Sequence, residues 1–229
     1  MFQLITHENR AEHADILDRM HKLRHEVFVE QLKWPDLTSR DGREYDQYDV
    51  PEAHYIVMVE DDEVVASVRL NRFDGPTLLE EIFPHLVEFE LVPEGGKVVD
   101  LSRFVVSPHV DDKTRLGGHG AEIICAILEY GAAEKLDALT AVISTHFLST
   151  VLSWGLEAYA MGFPIGEGPE AYLAVRVPVS EKQVAKVYQF TRNYRPRLME
   201  PQFVRWYREM FGSIAACAVE MKRVPAAAE

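Results

Sequence analysis

Residues 54–72 read HYIVMVEDDEVVASVRLNR, two apolar runs joined by the acidic turn Asp61-Asp62. β-branched residues are frequent in both runs, and two such runs around a short polar turn are typical of a β-hairpin. The hairpin decides the fold class, because it starts an antiparallel sheet to which later strands can be added.

The sequence after the hairpin alternates between strand-like and helix-like segments. Strand-like composition recurs in three places: KVVDLSRFVV (97–106), LTAVIS (139–144) and AYLAVRVPV (171–179). Helical periodicity predicts five helices. The first is a short helix in TLLEEIFPHL (77–86) that ends at Pro84, and the others are 119–135, a segment that ends near Trp154-Gly155, 181–190 and 201–220.

The sequence before the hairpin predicts a helix over residues 11–31 and then a long polar loop over residues 32–53. Loops of more than about 15 residues in a compact domain are often functional. The order helix, loop, hairpin, strand, helix, strand, helix, strand predicts a three-layer α/β fold with a mixed sheet flanked by helices.

The chain has 229 residues and a net charge of −13. We predict one domain over 1–178 and a basic helical segment over 179–229 packed on it. Residues 176–229 hold 10 Lys/Arg and 5 Asp/Glu. This charge indicates either a solvated helix face or a surface for an acidic partner, while the acidic body argues against nucleic-acid binding.

The sequence predicts a cytoplasmic protein. No apolar run of about 18 residues predicts a membrane span, and the N-terminus does not resemble a secretory signal. Cys125 and Cys217 are expected to be reduced core residues. No dinucleotide, P-loop, nucleophile-elbow or Cys/His metal motif occurs, so we expect neither a metal nor a resident cofactor.

The long loop contains GREYDQYD, residues 42–49, with three carboxylates in six positions. Such carboxylates repel each other unless cations lie among them. A calcium loop that began at Glu44 would need Gly at residue 49 and Glu at residue 55, where the chain has Asp49 and Tyr55. Three arginines on separate predicted elements are the alternative cations: Arg24, Arg69 and Arg103.

These residues fall in a spaced set that resembles the acyl-homoserine-lactone synthases, the autoinducer synthases of bacterial quorum sensing. The resemblance covers residues 10–178. It comprises Arg24-x3-Phe28-x5-Trp34, Glu44-x-Asp46-x2-Asp49, Arg69 in VRL, Phe83 in IFPHL, and LSRF at 101–104. It implies a fold similar to the GCN5-related N-acyltransferases. The chain departs at Asp100, where the family usually has Glu.

The resemblance implies that S-adenosylmethionine and an acyl thioester are joined into an N-acyl-homoserine lactone. It implies that the catalytic residues are Asp100, Ser102 and Arg103, with Asp100 as the general base; a structural pair between Asp100 and Arg103 is the alternative. It also implies that S-adenosylmethionine and its loop are held by Arg24, Phe28, Trp34, Glu44, Asp46, Asp49 and Arg69, with Asp46 on the amine. The two aromatics could pack on the adenine or sulfonium, or only fix the loop.

The resemblance places the acyl pocket among Phe83, Phe104, Thr140, Val142, His146 and Phe147. Thr140 could bond an oxygen on acyl carbon 3, or be an ordinary strand residue. RLGGHG, residues 115–120, offers Arg115, Gly118 and Gly120 for coenzyme A phosphate, or a simple glycine turn. The donor is therefore acyl-CoA or acyl carrier protein, and RDGREYDQYD looks like the CoA-using subgroup.

Two other functions are compatible with parts of this pattern. An N-acyltransferase for a different amine would keep the glycine loop but would not need the acidic triplet. A non-catalytic module would bind an acyl donor or a protein partner without turnover. Binding of S-adenosylmethionine distinguishes the synthase from both.

Overall fold

The computed structural model describes residues 1–34, 37, 41–110, 117–168 and 171–212. In that part of the chain one seven-stranded mixed sheet has the order β1-β2-β3-β4-β5-β7-β6. The strands are β1 (Phe2–Ile5), β2 (His54–Glu60), β3 (Glu63–Phe73), β4 (Gly95–Val106), β5 (Ala138–Ser144), β6 (Tyr159–Ala160) and β7 (Tyr172–Pro178). The helices are α1 (Ala14–Arg24), α2 (Leu78–Glu81), α3 (Gly118–Ala133), α4 (Thr145–Ser153), α5 (Glu181–Thr191) and α6 (Pro201–Phe211).

The predicted hairpin is confirmed as β2 and β3, paired from His54–Leu70 to Glu60–Glu63. Asp61 and Asp62 both have positive φ, at 47° and 63°. Two residues with positive φ form the turn that matches the twist of paired strands, and Asp tolerates that conformation better than most residues.

The sheet separates two apolar layers, which confirms the three-layer prediction. On β2, Ile56 and Met58 belong to the core beneath α3. Tyr55 and Val57, which alternate with them, belong to the core beneath α1. A strand that is buried on both faces shows a continuous apolar run, as YIVMV does.

The helix expected over residues 11–31 is shorter than predicted and changes type. The α-helix begins at Ala14, and from His25 to Gln31 the chain is a π-helix. The Leu32 amide donates to the carbonyl of Val27 at 2.9 Å, five residues back. π-helical turns are rare and occur frequently at functional sites.

Several other boundaries differ from the sequence prediction. Helix α2 ends at Glu81, and Pro84 begins a separate 3₁₀ turn instead of ending the helix. Pro suits the first turn of a helix because it has no amide hydrogen to satisfy. Strands β1 and β6 were not predicted, and residues 213–220 of the last expected helix lie outside the described residues.

Helices α5 and α6 share the core of the sheet. Val184, Val187 and Phe203 are buried with residues of α3 in one cluster. The division of the chain at residue 178 stays a prediction.

Strands β4 and β5 are paired over a short length only. Their parallel ladder runs from Val98–Ala138 to Leu101–Ala141. Beyond it, residues 102–106 of β4 continue without a partner on β5, whose own end pairs with β7. The divergence leaves a gap in the sheet beside Ser102, Arg103 and Phe104.

Candidate functional site

The acidic triplet lies against three arginines from three different elements. Arg24 of α1 donates from Nε to Glu44 at 2.6 Å and reaches both oxygens of Asp49 at 2.8 and 2.9 Å. Arg69 of β3 holds both oxygens of Asp46, one of them at 2.9 Å, and lies 3.1 Å from Asp49. These forked contacts are the strongest ion-pair geometry available to arginine.

Arg103 of β4 completes the network. Its Nε and Nη2 donate to one oxygen of Glu44 at 3.0 and 2.9 Å, and Nη2 lies 2.7 Å from Asp46. All six side chains are at most 9% exposed. Three positive and three negative charges balance, which is the condition for burying this many ions.

A β-bulge directs Arg103 into this network. Ser67 pairs with Val105 and Arg69 with Ser102, so Val68 faces two residues of β4. Arg103 has a φ of 53°. Val99 and Leu101 contact the α3 side, but after the bulge it is Phe104 and Val106 that do so. Since a bulge shifts strand alternation by one residue, Arg103 faces the acidic loop instead of the core.

The acidic loop is also held by polar contacts of two buried tyrosines, which the sequence did not predict. Tyr48 donates its hydroxyl to Glu81 at 3.0 Å, and its carbonyl accepts from Asn71 at 3.0 Å. Tyr55 donates to Asp49 at 2.8 Å. The Tyr48 and Tyr55 side chains are buried at 1% and 0% exposure. Because the hydroxyl of a buried tyrosine usually has a hydrogen-bond partner, the tyrosines near the carboxylates were the sequence feature that could have predicted these contacts.

The charges around Asp49 change its acidity. Burial by itself would raise the pKa of this carboxyl, but hydrogen bonds and charge from Arg24, with the charge of Arg69, hold the pKa well below its usual range. The carboxylate therefore stays ionised, and the loop is held by full charges.

Asp100 lies beside this network in a separate cradle. The Leu79 amide donates to one carboxyl oxygen at 3.1 Å, and the Thr140 hydroxyl donates to the other at 2.8 Å. The alternative of a structural pair with Arg103 is wrong, because Arg103 binds Glu44 and Asp46. Burial raises the pKa of Asp100 to about 6, although Thr140, Leu79 and Arg69 each lower it. Such a value suits a general base at neutral pH.

Ser102 and the two loop aromatics also contact the network. Ser102 accepts a hydrogen bond from Arg69 Nε at 3.0 Å. Phe28 is 3% exposed and stacks on Trp34 with ring centroids 4.8 Å apart, and the Arg103 guanidinium lies 5.8 Å from its ring. Trp34 is 44% exposed. Of the two, Trp34 has the surface for a ligand, and Phe28 supports it.

The residues predicted to form one acyl pocket fall on two faces of the sheet. Phe83 and Val142 pack with Leu79 and Met161 on the α2 side. Phe104 and Phe147 pack on the α3 side, with ring centroids 5.2 Å apart.

The two remaining residues of the predicted pocket, His146 and Thr140, do not line an apolar cavity in this structure. His146 is exposed on α4, which is not the environment of a cavity wall. Thr140 is 1% exposed and bonds Asp100. The predicted set thus describes two apolar regions on either side of the β4–β5 gap.

The glycine turn leads into α3. Gly118 is the first residue of α3, with a φ of 64°. A Cβ on Gly120 would come within 3.2 Å of the Trp154 ring, so packing alone explains that glycine. Arg115 lies outside the described residues.

The described part of the chain shows neither a metal cluster nor a membrane-spanning helix. Residues 1–34, 37, 41–110, 117–168 and 171–212 contain no cluster of three or more His, Cys, Asp or Glu side chains arranged to hold a metal. In the same residues no helix is both long and apolar enough to span a membrane.

Comparison with known proteins identifies relatives. The family model for autoinducer synthase matches residues 7–187. The isovaleryl-homoserine lactone synthase of Bradyrhizobium diazoefficiens is 30% identical over 164 residues, which cover 72% of this chain and 73% of the relative.

Solved structures agree on the fold. The CoA-dependent acyl-homoserine lactone synthase BjaI, solved with SAM and isopentyl-CoA, matches with a TM-score of 0.78 and 24% identity over 90% of this chain and 98% of that one. An acyl-CoA N-acyltransferase from Pseudomonas aeruginosa matches with a TM-score of 0.54 and 18% identity over 77% of this chain and 98% of that one. The predicted similarity of the fold to that of N-acyltransferases is confirmed.

Proposed function

This chain belongs to the autoinducer synthase family, and we propose a role for each part of its site in the synthesis of an N-acyl-homoserine lactone. The ion network binds S-adenosylmethionine, Asp100 accepts a proton, and the strand gap binds the acyl donor. The reaction joins an acyl thioester to S-adenosylmethionine. The amine of S-adenosylmethionine attacks the thioester carbonyl, and a thiol leaves. The carboxylate then attacks its own γ-carbon, which closes the lactone and releases methylthioadenosine.

One observation carries the proposal: the buried network of Arg24, Arg69 and Arg103 with the acidic loop lies directly beside Asp100. Ser102 connects the two, since it accepts from Arg69 and is two residues from Asp100 on β4. S-adenosylmethionine carries an ammonium, a sulfonium and a carboxylate. A site for it needs anions and cations together, and this region of the chain has both.

We propose that Asp46 binds the amine. Glu44 is 1% exposed and lies between Arg24 and Arg103, whereas Asp46 is 9% exposed. Asp49 is 7% exposed and accepts from Arg24, Tyr55 and the Asp46 amide. Asp46 also accepts from several donors, Arg69 and the Tyr48 amide among them, but it is the most exposed of the three carboxylates. Trp34 offers an exposed ring face to the adenine or sulfonium.

Asp100 accepts the proton of the attacking amine. Its pKa of about 6 leaves it ionised at neutral pH, and its cradle fixes both oxygens. Asp100 is 2% exposed, so a water between the amine and Asp100 completes the path. Backbone amides at residues 102–104, beyond the last β4–β5 pair, are the candidates to stabilise the oxyanion.

We further propose that the donor enters from the α3 side and that its acyl chain reaches the α2 side. Phe104 and Phe147 would border the thioester arm, and Phe83 and Val142 the acyl chain. The β4–β5 gap joins these two regions beside the candidate base.

Acyl-CoA is the proposed donor. Three cations of the C-terminal segment are paired with carboxylates of this chain: Arg197 is 5% exposed and bonds Glu122, while Lys182 and Lys186 pair with Glu157 at the surface. This leaves less positive surface for an acidic carrier protein than the charge count suggests. We also propose that the protein has no resident cofactor and that it is located in the cytoplasm.

The test is release of methylthioadenosine from S-adenosylmethionine with matched acyl-CoA and acyl carrier protein donors of one chain length. We expect kcat/KM to be higher for acyl-CoA. Preference for the carrier protein would reject the donor assignment alone. Acylation of another amine without binding of S-adenosylmethionine would support a different N-acyltransferase, and donor binding without any turnover would support a non-catalytic module.

A further inference from the structure

Thr140 and Asp100 form a buried pair across the last joined length of β4 and β5. They face each other in the parallel register, and their side chains are 1% and 2% exposed. The Thr140 hydroxyl donates to the Asp100 carboxyl at 2.8 Å. The pair lies one residue before the strands separate, at the closed end of the gap.

The hydroxyl of Thr140 has one hydrogen to donate. In this structure that hydrogen is used by Asp100. The second carboxyl oxygen accepts from the Leu79 amide of α2, so the two bonds fix the carboxyl plane from two sides. A carboxylate that is held in this way keeps its lone pairs in a set direction for proton transfer.

We infer that Thr140 is a positioning residue, which orients Asp100 for proton abstraction and does not donate to the acyl chain. This inference rests on the proposed function. An oxygen on acyl carbon 3 would gain no donor from Thr140 while Thr140 bonds Asp100. The chain therefore takes acyl donors without a carbon-3 oxygen at least as well as 3-oxo donors of the same length.

Other groups around Asp100 also affect its titration. The positive charge of Arg69 comes from β3, and the amides of Leu78 and Leu79 come from α2; each favours the ionised carboxyl. Arg69 is committed to Asp46, Asp49 and Ser102. Removing the Thr140 hydroxyl leaves these groups in place, so the Asp100 pKa must rise, and the affected step must weaken most at low pH.

The first experiment measures the Asp100 pKa by carbon-13 NMR of labelled aspartate in the full chain, with Asp100→Asn to assign the signal. Thr140→Val removes the hydroxyl at nearly constant volume, and Thr140→Ser restores it. We expect the Val variant to raise the pKa by roughly one unit or more and Ser to return it to the wild-type value. Thr6→Val, just after β1, is the matched control and should leave the Asp100 pKa unchanged. If the Val variant does not fold, Thr140→Ala removes the same donor.

The second experiment measures the pH profile of methylthioadenosine release with 3-oxo and unsubstituted acyl donors. Thr140→Val should move the acidic limb of kcat/KM to higher pH by a similar amount and leave the ratio between the two donors within about twofold. An unchanged Asp100 pKa, or a pH-independent loss together with an altered donor ratio, would overturn the inference. Absence of turnover in the wild-type chain would reject the proposed function, whereas the NMR result would still decide whether Thr140 controls Asp100.

Discussion

Two buried ion networks in this molecule use the same residue types for different ends. In the first, three arginines from α1, β3 and β4 hold the carboxylates of the acidic loop. In the second, Arg197 and two backbone amides, from Arg197 and Leu198, meet Glu122 and Glu129 of α3. The first fastens a loop over a gap in the sheet, and the second fastens the chain after α5 to the core.

The difference lies in what surrounds each carboxylate. Glu129 is 0% exposed and accepts from the Tyr188 hydroxyl at 2.6 Å and from two main-chain amides at 2.8 and 3.1 Å. The carboxylates of the acidic loop are instead held to other elements by side chains, because the amides that they accept from, those of Asp46 and Tyr48, belong to the loop itself. Asp46 and Arg103 are the most exposed members of this network, at 9% and 8%. A network built on side chains can rearrange around a substrate, whereas one built on backbone amides moves only if the helix or the chain after it moves.

Arg103→Ala should produce the largest effect. It removes the contacts to Glu44 and Asp46 beside the gap, and we expect methylthioadenosine release to fall by about 10³-fold. Glu44 keeps Arg24 and Asp46 keeps Arg69, so the free energy of unfolding should drop by only about 1–3 kcal/mol. Arg103→Lys keeps the charge without the fork and should recover part of the activity. If the Ala variant kept near wild-type turnover, this network would have no role in the reaction.

Arg197→Ala should reverse that pattern. It leaves Glu122 buried without its cation, which costs about 3–5 kcal/mol of unfolding free energy. The activity of the molecules that remain folded should stay within about threefold. The exposed Arg195→Ala is the matched control and should change stability by less than about 0.5 kcal/mol. A selective loss of kcat in a stable Arg197 variant would contradict a purely structural role.

The sequence predicted the convergence of the first network but not how the chain achieves it. The spacing of Arg24, Arg69 and Arg103 was informative because each belongs to a predicted element. The bulge at Arg103 was not predicted, because an arginine with positive φ has no signature in LSRF. The bulge also changes which β4 residues face the core: it places Phe104 on the α3 side, whereas Phe83 and Val142, which the resemblance grouped with it in one pocket, lie on the α2 side.

The second network had no comparable signal. Glu122 and Glu129 lie within a helix whose apolar residues already explain its burial, and Arg197 lies in a basic stretch that could equally face solvent. Their pairing depends on the return of the chain after α5, which follows from packing and not from local pattern. The π-helix after α1 was missed for a similar reason, since its residues also satisfy an α-helical period.

The two networks should also differ in the sign of their pH dependence. Burial raises the pKa of Glu129 to about 7 from an ordinary 4.5, so its contribution to stability is complete below pH 4.5 and is lost as pH rises towards 7. The pKa of Asp49 is lowered, so its contribution is present above about pH 4 and is lost as pH falls. In urea unfolding, the cost of Glu129→Gln should therefore shrink between pH 5 and 7.

The matched variant for that comparison is Asp49→Asn, whose cost should shrink instead below pH 4. Both substitutions keep the shape of the side chain and remove its titration. Parallel pH profiles for the two variants would show that the distinction between the networks is wrong.

Trp34→Ala should give the smallest effect, and it tests whether S-adenosylmethionine binds beside the first network at Trp34. Trp34 is 44% exposed and stacks on Phe28, which in turn lies against Arg103. A ring face that packs on adenine or sulfonium contributes about 0.5–2 kcal/mol, so KM for S-adenosylmethionine should rise about 2–30-fold while KM for the acyl donor stays nearly constant. Leu32→Ala, at a neighbour that is 53% exposed, is the control for lost apolar surface. If KM for the acyl donor rises instead, Trp34 borders the thioester arm. S-adenosylmethionine and the thioester arm would then lie on the opposite sides of the gap from those proposed here.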